Sequence, residues 1–192
     1  MTQMRNKIVI LEDNDERQQQ MLARLRDRLP PCPVVFFKSA HEMLKILPQH
    51  LPGTRVISLD NDLERTDEDC DPGAGRDVAR YLAAIPPACP VIIHSTNTHA
   101  AVAMEAELQD AGWQVQRVTP YEDLAWVDRE WFWAVREALL VHAKTEANSG
   151  GPESISADTL LAAQEFIARA GGVAQAKAAF DHLAGSLEIP LQ

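Results

Sequence analysis

A chain of 192 residues, 46% hydrophobic and 24% charged, is long enough for one domain of about 100 to 150 residues plus an appendage. Its formal net charge of −10 excludes a large sequence-independent nucleic-acid surface, because that kind of binding rests on Lys and Arg facing phosphates. No apolar stretch approaches the roughly 20 residues of a membrane helix, the run Ile8 to Leu11 is too short for a secretory signal, and Cys32, Cys70 and Cys89 show no C-x-x-C spacing, so the expected compartment is the cytoplasm.

Lys7 to Leu11 predicts a first buried strand that ends in Glu12-Asp13-Asn14-Asp15. From Glu16 to Leu29, Met21, Leu22, Leu25 and Leu29 recur at helical spacing, so the strand feeds an amphipathic helix. Pro30-Pro31-Cys32-Pro33 stops it. Val34 to Phe37 predicts a second strand, and Ser39-Ala40-His41-Glu42 is a capping-box pattern opening a helix that runs through about Leu47 and is ended by Pro48 and Pro52-Gly53. Arg55 to Asp60 predicts the third strand. The polar stretch Asn61 to Gly75, with Pro72-Gly73-Ala74-Gly75 at its end, predicts a loop. Val78, Leu82 and Ile85 then mark a helix closed by Pro86-Pro87. Pro90 to His94 predicts the fourth strand, Thr98 to about Ala111 a helix stopped by Gly112, and Trp113 to Val118 the fifth strand, followed by a Thr119-Pro120 turn. Asp128 to about Lys144 predicts the last helix of this unit; its Trp131 and Trp133, with Trp126 just before it, read as core plus interface.

Strands alternating with helices imply a mostly parallel sheet covered on both faces. The expected fold is α/β, a flavodoxin-like doubly wound five-stranded parallel sheet over residues 1–146, then a linker over 147–153 and a C-terminal helical hairpin over 154–192. In the hairpin, Leu160, Leu161, Gln164 and Ile167 precede Gly171-Gly172, and Val173, Ala176, Phe180, Leu183 and Leu187 follow at helical spacing. Its Ala-rich stripe is too small for a core of its own, which leaves two outcomes: docking on the main domain, or a homodimer through the tail.

Doubly wound sheets bind ligands at the carboxyl ends of their strands. That rule gathers Glu12, Asp13, Asp60, Asp62, His94, Ser95, Asn97 and Thr119 on one rim. Asp13, Asp60 and Asp62 are hard oxygen ligands suited to Mg²⁺ or Mn²⁺. His94 is placed to act as general acid or base beside Asp60, and Ser95, Asn97 and Thr119 are the expected contacts to phosphate oxygens. Glu64, Asp67, Glu68 and Asp69 read as a solvated border. His41 and His99 sit at helix starts, and His50, His142, His182 and Cys70 lack neighbours at ligand spacing.

The Glu12-Asp13 pair, Asp60 after the third strand, Ser95 after the fourth and an X-Pro turn after the fifth resemble the receiver domains of two-component signalling over about Lys7 to Lys144. The resemblance implies a metal site at the acidic pair and Asp60, with Asp60 as acceptor of a phosphoryl group from a kinase histidine. Two features depart from it: Thr119 stands where the family has a lysine, and a second carboxylate, Asp62, follows Asp60. Arg117, two residues before Thr119, is a candidate replacement cation. Leu59-Asp60-Asn61-Asp62-Leu63, Gly73 to Gly75 and His94-Ser95-Thr96-Asn97 are together similar to a narrower branch, the cyclic-phosphate-processing receiver-like domains.

Two functions follow as expectations. The first is a metal-dependent phosphoesterase, or binder, for cyclic or terminal phosphates of small nucleotides or RNA ends. The alternative is an atypical response regulator phosphorylated on Asp60 by a histidine kinase. Neither calls for a membrane or an extended nucleic-acid surface.

Overall fold

The computed structural model describes residues 7–64, 71–121, 123–149, 164, 167–169, 171–175 and 177–178. Contacts divide the chain into two compact units, Met1–His142 and Ala143–Gln192.

Five strands build the first unit: β1 (Lys7–Leu11), β2 (Val34–Phe37), β3 (Thr54–Leu59), β4 (Val91–His94) and β5 (Val115–Val118). All neighbours are parallel, in the order β2-β1-β3-β4-β5, which is the expected doubly wound, flavodoxin-like sheet. The helices are α1 (Asp15–Arg28), α2 (Ala40–His50), α3 (Gly75–Ala83), α4 (Thr98–Asp110) and α5 (Phe132–Ser149). No helix of the described residues is long and apolar enough to cross a membrane.

Strand residues alternate between two cores, as a period of two requires. Val9, Leu11, Ile57, Leu59, Val91 and Ile93 pack with residues of α2, α3 and α4. Ile8, Ile10, Val56 and Ile92 pack with Met21 and Leu25 of α1 and with Trp126, Trp131 and Val135. Each fully buried aliphatic side chain contributes about 1.5–3 kcal/mol relative to exposure, so these two layers hold the register of the sheet.

Helix entries are built from side-chain caps. Asn14 accepts from the Arg17 N–H, Ser39 from Glu42 and Asn97 from Ala100, each supplying an acceptor to an otherwise unpaired donor of the first turn. Two boundaries differ from expectation. Helix α2 runs through Pro48 to His50 before a 3₁₀ turn at Leu51–Gly53, because proline forfeits one backbone bond while Leu47 keeps its buried place on the inner face. The last helix opens with a π-helical turn, Val127–Trp131, and continues to Ser149, into the stretch expected to be linker. Of the three nearby tryptophans, Trp126 and Trp131 are core, whereas Trp133 is 57% exposed, with the Arg136 guanidinium over its ring at 4.9 Å.

In the second unit, Ile167 to Arg169 and Val173 to Gln175 are helical on either side of Gly171 and Gly172, which have φ of 87° and 127°. Positive φ is open to glycine at little cost, and this is the turn a helical hairpin needs. The remainder of that hairpin, like Cys70, Asp67, Glu68 and Asp69, lies outside the described residues.

Candidate metal and phosphate site

Register explains how the site is assembled. Leu11, Leu59 and Ile93 lie side by side on β1, β3 and β4, so the next row across the sheet is Glu12, Asp60 and His94. The Asp60 N–H continues the ladder to the Leu11 carbonyl at 2.9 Å. One ligand atom from each of these three residues lies within 4.8 Å of the others, a group able to hold a metal ion. All three are buried: Glu12 and His94 at 0% and Asp60 at 3%.

Toward solvent, this row opens into a cleft of about 110 Å³ lined by Asp13, Asn14, Arg17, Asp60, Asp62, Glu64 and Thr96. The structure therefore brings the three expected carboxylates, Asp13, Asp60 and Asp62, to one cavity. Asp13 is half-buried and accepts from the Glu64 N–H. Asp62, at the exposed mouth, accepts from Asn61 Nδ2 at 2.9 Å, Ser95 Oγ at 3.1 Å and Asn97 Nδ2 at 3.2 Å. Ser95 and Asn97 thus meet the site as expected, but their donors rest on Asp62. Asn97 does so while capping α4 through Ala100, so one side chain ties the helix entry to the cleft.

Glu12 and Asp60 share a cation that the sequence reading missed. Arg17 Nη1 lies 3.3 Å from Asp60 Oδ2 and 3.7 Å from Glu12 Oε2, with its guanidinium 5.9 Å from the Trp126 ring centre. Burial pushes the Asp60 carboxyl up to about 6; the nearby His94 charge, the Asp62 N–H and Arg17 pull against it, while the Glu12 charge adds to it. Burial also raises Glu12, but His94, the Asn14 N–H and Arg17 outweigh it, and the net shift is downward. Asp13 is raised, chiefly by burial. These opposite directions are what a crowded carboxylate set beside Arg17 and His94 produces.

His94 differs from its expected place at the rim. It lies behind Glu12, with Nε2 3.3 Å from Glu12 Oε2, Nδ1 2.9 Å from Ser58 Oγ, and its ring stacked on Trp126 at 5.9 Å between centres. The physical reason is the sheet register: His94 follows Ile92 on the α1/α5 face and points into that core. Thr119 is exposed and does not line the cleft. Arg117 is drawn to Glu105 of α4 at 2.6 Å, so it does not supply the missing cation.

The glycine-rich entry to α3 is a close-contact device. A Cβ on Gly75 would lie 2.0 Å from the Asp60 carbonyl oxygen, and the Gly75 and Arg76 N–H groups donate to the Asn61 backbone and side-chain oxygens at 3.2 and 3.3 Å. Only a residue without a side chain lets α3 approach Asp60 this closely.

The family described as cyclic-phosphate processing receiver domain matches residues 6–110. No curated protein matches the chain. Among solved structures, the phosphorylated cyanobacterial phytochrome response regulator RcpA is 20% identical, with a TM-score of 0.55, over 70% of this chain and 94% of its own. The signal receiver domain of a putative Luxo repressor protein from Vibrio parahaemolyticus is 15% identical, with a TM-score of 0.56, over 77% and 99%. A Mn²⁺-bound form of response regulator Rcp1 is 16% identical, with a TM-score of 0.50, over 67% and 94%. At these identities the structural likeness speaks for the fold.

Proposed function

Because the chain belongs to the cyclic-phosphate processing receiver domain family, we propose that its acidic cleft binds a divalent cation, Mg²⁺ or Mn²⁺, with a small phosphate-bearing ligand and hydrolyses cyclic or terminal phosphates of nucleotides or RNA ends. The residues fit a hard cation: Asp13, Asp60 and Asp62 line one cavity, Glu12 lies behind them, and its buried Oε2 has no hydrogen-bond partner among the described residues. A cation bound there neutralises phosphate charge and lowers the pKa of a bound water.

The chain's own groups do the rest. Arg17 takes a phosphate oxygen from within the cleft, Ser95 and Asn97 turn their donors from Asp62 to the ligand, and His94 bears on the reaction through Glu12. Thr119 has no part in this arrangement. The observation that carries the reading is the Arg17 contact to Asp60 at 3.3 Å. Positive charge reaches the site from α1, while β5 carries an Arg117 already paired with Glu105 and is followed by an exposed Thr119. A phosphoryl switch needs a group that senses the added charge and passes it to a movable element, and β5 holds no free cation for that purpose among the described residues.

A second reading is favoured by one feature. Asp60 directly follows the central strand β3 and lines the open cleft, as an acceptor of a phosphoryl group from a histidine kinase would. One experiment separates the two: purified protein with Mg²⁺ or Mn²⁺ is given a panel of cyclic phosphates and, separately, acetyl phosphate. Cyclic-phosphate turnover that is lost in Asp60→Ala and His94→Ala supports hydrolysis. A stable acyl phosphate on Asp60 without turnover defeats it in favour of signalling.

A further inference from the structure

Behind the acidic row lies a buried polar chain that a phosphate site does not by itself require. Trp131, at the end of the π-helical turn, directs its indole Nε1–H to Ser58 Oγ at 2.9 Å. Ser58 Oγ meets His94 Nδ1 at 2.9 Å, and His94 Nε2 faces Glu12 Oε2 at 3.3 Å. All four residues are 0% exposed. An unpaired polar group at such depth is costly, so the protons along the chain have few arrangements open to them.

Their direction follows from the donor inventory. An indole nitrogen only donates, so one Ser58 lone pair is taken by Trp131. The Ser58 hydroxyl hydrogen then needs an acceptor, and among the described residues His94 Nδ1 is the one within hydrogen-bond reach. The reverse arrangement, with a proton on Nδ1, would leave that hydroxyl hydrogen buried without a partner. With Nδ1 accepting, the proton of the neutral ring sits on Nε2, 3.3 Å from Glu12 Oε2 but outside the geometry of a formed hydrogen bond. The other Glu12 oxygen accepts from the Asn14 N–H at 3.0 Å.

We propose that Trp131 and Ser58 are positioning residues that fix His94 as its Nε2–H tautomer, so that the imidazole sets its N–H beside the Glu12 carboxylate, next to Asp60, and is not itself a metal ligand. The link to metal and phosphate rests on the function proposed above; the tautomer itself does not. Spacing alone would also allow His94 Nε2 to join Glu12 and Asp60 as a ligand, but a ligating nitrogen must be free of its proton. The π-helical turn acquires a purpose here: its wider coil carries the Trp131 indole to Ser58 on β3, and such turns recur at functional sites.

The test uses the full chain, ¹⁵N-labelled at histidine, with the His94 signal identified by its loss in His94→Gln. Long-range ¹H–¹⁵N correlation at neutral pH is expected to show His94 as the Nε2–H tautomer without added cation, and unchanged after Mg²⁺. Ser58→Ala is expected to populate both tautomers and weaken Mg²⁺ binding by about tenfold, as loss of supporting partners around metal ligands commonly does. Trp131→Phe moves both readouts in the same direction, and Ser58→Thr, which keeps the hydroxyl, restores them. An Nδ1–H ring in the unmutated chain overturns the proposal, and that measurement needs no variant to fold. So does a wild-type tautomer with wild-type Mg²⁺ affinity in folded Ser58→Ala and Trp131→Phe. Absence of cyclic-phosphate turnover would sink the hydrolytic reading while leaving the tautomer measurement intact.

Discussion

At the scale of residues, the carboxylates were legible and their counterparts were not. Asp13, Asp60 and Asp62 sit within three residues of strand ends, where topology alone converges them, and all three line the cleft. Arg17 looks in the sequence like one more polar residue of an amphipathic helix; only the packing of α1 over the strand ends brings it to Asp60. Ser58 and Trp131 are hidden for the same reason, 73 residues apart along the chain. Replacing Arg17 by Gln is expected to weaken binding of a phosphate ligand in the presence of Mg²⁺ by about 10- to 100-fold, the scale of a hydrogen bond to a charged group at about 1.5–3 kcal/mol. Mg²⁺ alone should bind no more weakly, since a competing positive charge has gone; calorimetric titration of each ligand reads both effects. His50 offers a pH prediction away from the cleft. Its Nδ1 lies 2.8 Å from Lys7 Nζ, and burial, then the lysine charge, depress its pKa below 6.5. The unfolded chain therefore takes up this proton first, so the contribution is intact above pH 6.5 and is lost as pH falls through the folded value. Thermal melts from pH 7.5 to 5 should show a shallower loss of Tm in His50→Gln than in the unmutated chain.

At the scale of elements, strand and helix order followed from hydrophobic period, whereas boundaries moved with capping and packing. Pro48 looked like a stop because proline breaks helices, yet burial of the α2 inner face carries the helix past it. The π-helical turn had no signal in the spacing, because one added residue per turn is decided by the seating of Trp126 and Trp131 in the core. Two substitutions probe the helix entries. Gly75→Ala puts a methyl into the Asp60 carbonyl and is expected to cost about 1–3 kcal/mol, the usual range for overpacking, with a lowered Mg²⁺ affinity because Asp60 must move. Asn97→Ala removes the α4 cap and one donor to Asp62. A cap of this kind contributes about 1 kcal/mol, which the urea midpoint would register at an unchanged m-value.

At the scale of the molecule, a chain of net charge −10 that gathers carboxylates in one cleft should be stabilised by the cation it is proposed to bind. At 100 times its dissociation constant, Mg²⁺ is expected to add about 2.7 kcal/mol to the unfolding free energy, seen as a rise in Tm that Asp60→Asn abolishes; an equal rise in that variant would assign the effect to nonspecific screening. The alternation of the sheet has a consequence of another kind. Ile10 and Glu12, Ser58 and Asp60, and Ile92 and His94 are even-numbered neighbours on one face, while Leu11, Leu59 and Ile93 take the other. Inserting or deleting a single residue within β1, β3 or β4 would send that strand's polar group into the wrong core, however mild the residue involved. The lineage of this chain is thus free to explore its site by substitution, while changes of length are confined to the loops, and alignments of its relatives should show gaps between these strands and none within them.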